Sequence, residues 1–428
     1  MQANSSPHIA PSATQANRAV HVAVIGSGLA GAACAAGLQR VGVRVTVFEK
    51  SRNVGGRMAT RLAGWRDASG AEPSVTFDHG AQFFTSVRPR FKAVMARAIV
   101  AGCVSEWRPR VHAAGPAETA RCLVATPTMP ALSGHLLAGT TVHLDRTVRR
   151  LQRAANGNWY VATDGMPLAG PFHHVALAIP PAQAAVLLAG HQDAWADALI
   201  AKRMEPRWTL MAVSDDVDWP WDAAEPERGP LAWVLRNDRV PGRTAPPGLA
   251  VWTTHATADW SAAHLEDEPQ AVSDALQSAL RAQLPITGSG GRRIRWHHAD
   301  VHRWRHAGPA LDCDDSFDSD ASWWDESLGL GVSGDFLGGG GVEAAWHSGD
   351  ELADWMAASL ERSNAAFADA ASGAPNSVTA SPGLLPSPSS VSPVGSTDTR
   401  CDQLVRRRET QSLAPHLVQQ ALNPLICP

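Results

Sequence analysis

The stretch VAVIGSGLAGAACAAGLQRVGVRVTVFEK, residues 22–50, limits what this chain can fold into more than any other feature. Val20 to Ile25 is a short apolar run suited to a buried parallel strand. Gly26, Gly28 and Gly31 follow, then a small-residue segment from about Leu29 to Val41 closed by Gly42. Val43 to Phe48 gives a second buried strand that ends at Glu49. Strand, tight turn, helix and strand in that order make one βαβ unit, the start of a doubly wound α/β domain. Gly26 permits the turn, Gly28 lets the backbone approach a pyrophosphate, and the helix N-terminus favours its negative charge. Gly31 and Ala35 lie on one helical face, where small side chains allow close packing. Glu49, at the end of the second strand, is placed to accept hydrogen bonds from a ribose diol, which suits FAD or NAD and disfavours a 2′-phosphate.

Residues 19–38 contain no Asp, Glu, Lys or Arg, but four glycines within them favour the strand–turn–helix reading over a membrane span. The first 18 residues are polar and small and lack the pattern of a secretory leader. Six cysteines scattered over 428 residues form neither a disulfide framework nor a zinc site, so a reducing, cytoplasmic setting is expected. A formal net charge of −4, with both signs interspersed, gives no electrostatic footprint for nucleic acid.

Further along, residues 144–165 read as paired strands around a turn at Asn156-Gly157. His174 to Ile179 is a short buried strand stopped by Pro180-Pro181. Residues 191–294 read as short strands, tryptophans and proline-rich turns with one helix near 269–283, forming a separate sheet. Ser327 to Val332 returns to a buried strand, and Gly341 to Leu360 is expected to be a helix. Asp312 to Asp320 reads as a solvated acidic loop. Residues 368–428 contain no aromatic residue and include a Ser/Pro-rich run, a composition that does not offset ordering entropy.

What separates FAD from NAD lies downstream. Gly55-Gly56-Arg57-Met58 offers a second close backbone approach and an arginine suited to a pyrophosphate. Gly334-Asp335 and the glycines 338–341 precede the last helix, where an Asp can hold hydroxyls and a helix N-terminus can stabilise a reduced flavin. VGGRMATR (54–61) with FDHGAQFFT (77–85) resembles the renalase family of FAD-dependent oxidoreductases, especially its bacterial members. VALAIPPAQAAVLL (175–188), WTTHATADWS (252–261), HRWRHA (302–307) and GVSGDFLGGGGVEAAWHSG (331–349) extend the resemblance over residues 19–360.

The resemblance implies a Rossmann-type FAD-binding domain of the glutathione-reductase and hydroxybenzoate-hydroxylase type, with a second, mainly β substrate domain. The expected division is a flexible extension at 1–17, an FAD-binding domain from 18–78, 122–190 and 295–362, and a substrate domain from 79–121 and 191–294. A disordered tail is expected at 363–428. It implies non-covalent FAD held at Gly26, Gly28, Leu29, Ala30, Gly31, Glu49 and Lys50, then Gly56, Arg57 and Met58. His79, Gly80, Ala81 and Gln82 would pass the flavin ring, Val148 the adenine, and Gly334, Asp335, Gly341 and Val342 the ribityl and pyrophosphate region. The implied reaction oxidises NAD(P)H or an isomer of it, with oxygen as final acceptor.

His79 and Gln82 are the expected ring-side catalytic residues, with His302 and Trp304 lining the substrate face. Trp208, Trp252 and Trp260 are expected mainly in the core. His298, His302 and His306 recur every four residues, but the flanking pattern is that of extended chain and no metal site is expected. The alternatives are an amine oxidase of a small amine and a non-catalytic FAD-binding protein. Against the first, amine oxidases of this fold often use two tyrosines, and Tyr160 is the only one here.

Overall fold

A computed structural model describes residues 20–67, 69–112, 121–165, 167–285, 294–310 and 321–372. The N-terminal extension, the acidic loop 312–320 and most of the Ser/Pro-rich segment lie outside the described residues. Five parallel strands build the first sheet, in the order Leu330–Ser333, His174–Leu177, His21–Ile25, Arg44–Phe48, Thr141–His143. Ser322–Asp325 adds an antiparallel edge beside Leu330–Ser333. The opening strand, helix (Leu29–Arg40) and second strand fall within a residue of the expected βαβ unit.

The helix Leu29–Arg40 stops where Gly42 takes a left-handed φ of 84°, and the Val43 N–H closes the turn on the Leu38 carbonyl. The C-terminal helix, Gly341–Ser372, lies against it. Gly37 and Gly349 allow that approach: a Cβ on Gly37 would stand 2.5 Å from the Ala353 Cβ, and one on Gly349 would overlap the Ala30 carbonyl. Asp350, buried on the last helix, pairs with Arg40 at 2.9 Å and with Arg90 at 2.7 Å.

The last helix corrects the expected boundary. It continues through residues 361–372, beyond the predicted end at Leu360 and past the start of the expected tail at 363. Five alanines in that stretch supply the helix propensity that the sequence reading discounted. Among the described residues five other helices also went unforeseen: Pro89–Val100, Ala131–Leu136, Pro181–Leu188, Asp193–Ala201 and Ala258–Ala263, the last two within 191–294, where one helix near 269–283 was expected. Pro181 does not merely stop a strand but opens the helix Pro181–Leu188, its fixed φ suiting the first helical position. Pro89 does the same for Pro89–Val100, whose Phe91 and Met95 pack with Leu29 and Trp346.

The second sheet runs in the order Trp296–Pro309, Met204–Asp215, Leu249–Ala256, Leu231–Arg236, Ala223–Ala224, Val111–His112. Its pairs are antiparallel except the last. Alternation gives it two faces. Trp208, Leu210, Trp252 and Val301 pack on the helix Pro269–Gln283. The opposite face receives the segment 77–84: Phe77 seats on Met211, Val213 and Val251, and Phe83 on Trp233 and Leu235. The hairpin around Asn156-Gly157 forms as expected, within a three-stranded meander. Among the described residues no helix is long and apolar enough to cross a membrane.

Candidate functional site

The two glycine motifs, 27 residues apart at Gly28 and Gly55, meet at the N-terminus of Leu29–Arg40. Gly28 and Gly55 form a parallel bridge, and the Gly55 N–H donates to the Ser27 carbonyl at 3.0 Å. A Cβ on Gly56 would lie 3.1 Å from the Gly28 Cα. Gly26, at φ 103°, has no room for a side chain against Ala178, and a Cβ on Gly31 would overlap the Gly26 carbonyl oxygen. Gly28, at the N-cap, has no side chain to bond the first-turn N–H groups of the helix. Leu29, Ala30, Gly31, Met58 and Ala81 are buried or nearly so around it.

Glu49 is buried at the end of its strand, and its carboxylate holds the glycine turn. Oε2 accepts from the Ser27 N–H and hydroxyl, both at 2.8 Å, and Oε1 from the Ser51 N–H at 2.8 Å. Lys50 is exposed and donates to Gln183 Oε1 at 3.4 Å. Val148, half-buried, opens the meander and packs on the apolar cluster behind the first sheet. Replacing Glu49 with Ala should loosen the turn and remove the carboxylate expected to accept from a ribose diol. The expected result is about tenfold weaker flavin retention, on the scale of one lost charged hydrogen bond of roughly 1.5 kcal/mol. Titration of apoprotein with FAD checks it, and unchanged affinity would remove Glu49 from the cofactor's ribose.

Arg57 and Asp335, both expected beside a cofactor, pair with each other. Arg57 Nη1 donates to Asp335 Oδ2 at 2.8 Å and to the Ala307 carbonyl at 3.0 Å, and Nη2 pairs with Oδ1. Asp335 is buried, while the Arg57 side chain keeps part of its surface open. The Gly334 N–H donates to Ser348, and Gly341 and Val342 begin the last helix behind this pair. The ion pair thus ties the second glycine motif to the end of the first sheet.

The segment Asp78–Gln82 passes between the two sheets. Gly80 lies so close to Arg57 that a Cβ would overlap its carbonyl, and the Ala81 N–H donates to that carbonyl at 2.9 Å. Asp78 is fully buried, paired with Arg243 at 2.8 Å and accepting from Thr60 at 2.6 Å. His79, His302 and Trp304, expected separately on the ring side and the substrate face, stand together. His79 stacks on Trp304 with centroids 5.3 Å apart, and His302 meets both rings edge-on at 4.8 and 4.5 Å. The His79 carbonyl accepts from Trp304 Nε1 at 2.8 Å and from Thr209 Oγ1 at 3.1 Å. Gln82 is fully buried, with Nε2 on the Thr253 carbonyl at 3.4 Å and, among the described residues, Oε1 unpartnered. His79 Nδ1 is likewise buried without a partner among them.

Sequence reading missed Arg61, His255 and Arg207 at this place. Arg61 reaches Asp300 at 2.6 Å and His302 Nδ1 at 3.2 Å, and His255 is fully buried below His79. These side chains come from remote strands: Arg61 closes the block VGGRMATR and His255 lies within WTTHATADWS, but neither block marked them as site residues, and Arg207 lies in no block. Trp208 and Trp252 fill the core on the far side of the second sheet, as expected of large aromatics, and Trp260 packs beside them. His298 is held between Trp65 and Phe77, while His306 faces Lys50, Arg57 and Arg305. Among the described residues no cluster of side chains could hold a metal.

Burial pushes His79 and His255 down to about 3 and His302 down to about 4, so all three are neutral at pH 7. His21 and His174 are also lowered to about 4 by burial. The unfolded chain protonates these imidazoles below about pH 6.5, so it binds more protons than the native state from there downward. Their contribution is therefore complete above that pH and is lost as pH falls toward 4. The urea midpoint should drop between pH 7 and 5, before carboxylates dominate, and an unchanged midpoint would contradict the burial of neutral imidazoles.

Residues 24–98 match the NAD(P)-binding Rossmann-like domain family. Among solved structures, cyclohexylamine oxidase from Brevibacterium oxydans IH-35A shares the fold at a TM-score of 0.60 and 13% identity, over 80% of this chain and 100% of that one. A protein of Exiguobacterium sp. 255-15, provisionally assigned as a protoporphyrinogen oxidase, gives 0.59 and 12%, covering 79% and 99%. Reduced UDP-galactopyranose mutase gives 0.57 and 10%, covering 81% and 97%. At such identities the likeness is one of fold: an α/β molecule with a Rossmann-like domain and a second, sheet-rich domain.

Proposed function

We propose that this chain is an FAD-dependent oxidase of the renalase type, acting on a dihydronicotinamide nucleotide with oxygen as acceptor. The observation that supports it most is the convergence of two glycine motifs on an uncapped helix N-terminus, beside the wall formed by His79, His302 and Trp304. The residues present fit the cofactor. A cradle without Cβ atoms, a buried carboxylate at the strand end and unpartnered atoms on His79 and Gln82 answer to a pyrophosphate, a ribose and a polar ring edge. When bound, FAD supplies a two-electron acceptor that oxygen can reoxidise with release of hydrogen peroxide.

In this reading the chain's own part is binding, orientation and exclusion of water. Gly26, Gly28, Gly31 and the helix end hold the pyrophosphate, Glu49 the ribose, and Arg57 with Asp335 the ribityl side. Lys50, Val148, Met58, Gly334, Gly341 and Val342 complete the surround. His79 to Gln82 run along the ring, and the second sheet forms the substrate-facing domain. Hydride donation by a dihydronicotinamide is driven by its own ring nitrogen, so the site needs no strong base, and neutral histidines suffice.

A second reading, oxidation of a small amine, draws on the fold shared with cyclohexylamine oxidase. Tyr160 does not serve it, since it stands in the meander beside Gly170. The purified yellow protein, in air, should consume a dihydronicotinamide isomer and form one peroxide per nucleotide. Peroxide from amines alone would replace the first reading with the second.

A further inference from the structure

Arg61 lies on the strand Thr60–Gly64 and spans to the strand Trp296–Pro309. One arm of its guanidinium donates to Asp300 Oδ2 at 2.6 Å, and the other meets His302 Nδ1 at 3.2 Å. A guanidinium has five donors and no acceptor, and it does not deprotonate. His302 Nδ1 must therefore be the acceptor, carrying a lone pair, and the ring proton belongs on Nε2. Burial, aided by the Arg61 charge, pushes the imidazole down to about 4, so no second proton joins it near neutral pH. The rings of His79 and Trp304 fix its plane, standing at 85° and 69° to it. No protein acceptor takes the Nε2 proton among the described residues.

We infer that Arg61 is a positioning residue that locks His302 as the Nε2–H tautomer, so that the substrate face offers a hydrogen-bond donor beside a fixed positive charge. Such a face accepts a neutral substrate bearing a carbonyl or carboxamide oxygen. It disfavours an ammonium group, which has no lone pair to offer and is repelled by Arg61, although Asp300 screens part of that charge. The inference deepens the reading of the site as a dihydronicotinamide oxidase and rests on it for the substrate. The tautomer itself does not depend on what the substrate is.

The test uses the full-length protein as purified, labelled with ¹⁵N-histidine, and two-bond ¹H–¹⁵N correlation spectra. His302 is identified by the signal lost in His302→Gln. The wild type should show one tautomer with the proton on Nε2. Arg61→Met should give a mixture with Nδ1–H, and Arg61→Lys, which keeps a donor and a charge, should restore the original pattern in part. Asp300→Asn leaves Arg61 present but loosens its anchor, and should shift the tautomer the same way to a smaller extent. A purely structural role for Arg61 would leave the pattern unchanged in these variants, and that result, or Nδ1–H in the wild type, overturns the assignment.

The kinetic arm concerns selection. Arg61→Met should raise KM for the dihydronicotinamide about tenfold while changing kcat much less, the cost of roughly one hydrogen bond to the ground state and transition state alike. An unchanged KM would overturn the role in selection. If no dihydronicotinamide reduces the flavin at all, the functional reading fails, while the spectra still decide what Arg61 does to His302.

Discussion

Gly31→Ala is expected to purify with little or no flavin. One methyl group at this position overlaps the Gly26 carbonyl oxygen, a backbone atom that no rotamer change can move. Either the helix Leu29–Arg40 shifts off the turn or the turn opens, and both displace the helix end from a bound pyrophosphate. Overpacking of this kind costs about 1–3 kcal/mol, and loss of the aligned helix end adds about 1 kcal/mol on the ligand side. Flavin affinity should fall at least about tenfold, at 1.4 kcal/mol per decade. The ratio of flavin to protein absorbance and a urea titration check it. Gly134→Ala is the control: its Cβ meets nothing within 4 Å inside the helix Ala131–Leu136, so stability should hold or rise by about 0.5–1 kcal/mol. Equal flavin content in the two variants would contradict the turn's role.

The second large effect is expected at Asp78 and Arg243. Both side chains are fully excluded from water, and the pair joins the segment Asp78–Gln82 to the loop after Leu231–Arg236. Arg243 also donates to the Ala125 and Pro241 carbonyls, at 2.7 and 2.8 Å, while Asp78 accepts from Thr60 as well. Removing one partner strands the other in an apolar interior. Arg243→Met alone should therefore cost about 3–5 kcal/mol, measured by urea unfolding at pH 7. Asp78→Leu combined with Arg243→Met should recover much of that loss, because no charge is then buried unpaired. A single-variant loss below about 1 kcal/mol would mean that the pair is open to water in solution. Because His79 follows Asp78 directly, the single variant should also disturb flavin retention.

How much could be read in the sequence follows from where the signal lies. The βαβ unit was legible because its strand, turn, helix and acid are local and each has a distinct residue requirement, as at Gly26, Gly31 and Glu49. The pairing of Asn156-Gly157 with its flanking strands was legible for the same reason. The helices begun by Pro89 and Pro181 were not, because a proline marks a break and a first helical turn equally well. Gly37 and Gly349 carry no local signal, and only the crossing of two helices explains them.

The site divides in the same way. His79, His302 and Trp304 could be picked out by motif, but nothing in their spacing required that they touch. The partnership of Arg57 with Asp335 spans the two ends of the first domain, so each could be expected near a cofactor but not near the other. Arg61 and His255 sit inside quoted blocks that did not single them out, and Arg243 lies in none. Their importance comes from burial and from partners on distant strands, which a linear reading cannot supply.

Anaerobic rapid mixing of the purified protein with NADH, its 2- and 6-dihydro isomers and a panel of amines, followed through flavin absorbance, decides whether the chain is a dihydronicotinamide oxidase. Fast bleaching by a dihydronicotinamide, reversed by air with release of peroxide, and none by the amines is the expected result. Bleaching by amines alone, or a yellow protein that none of these donors reduces, would contradict it.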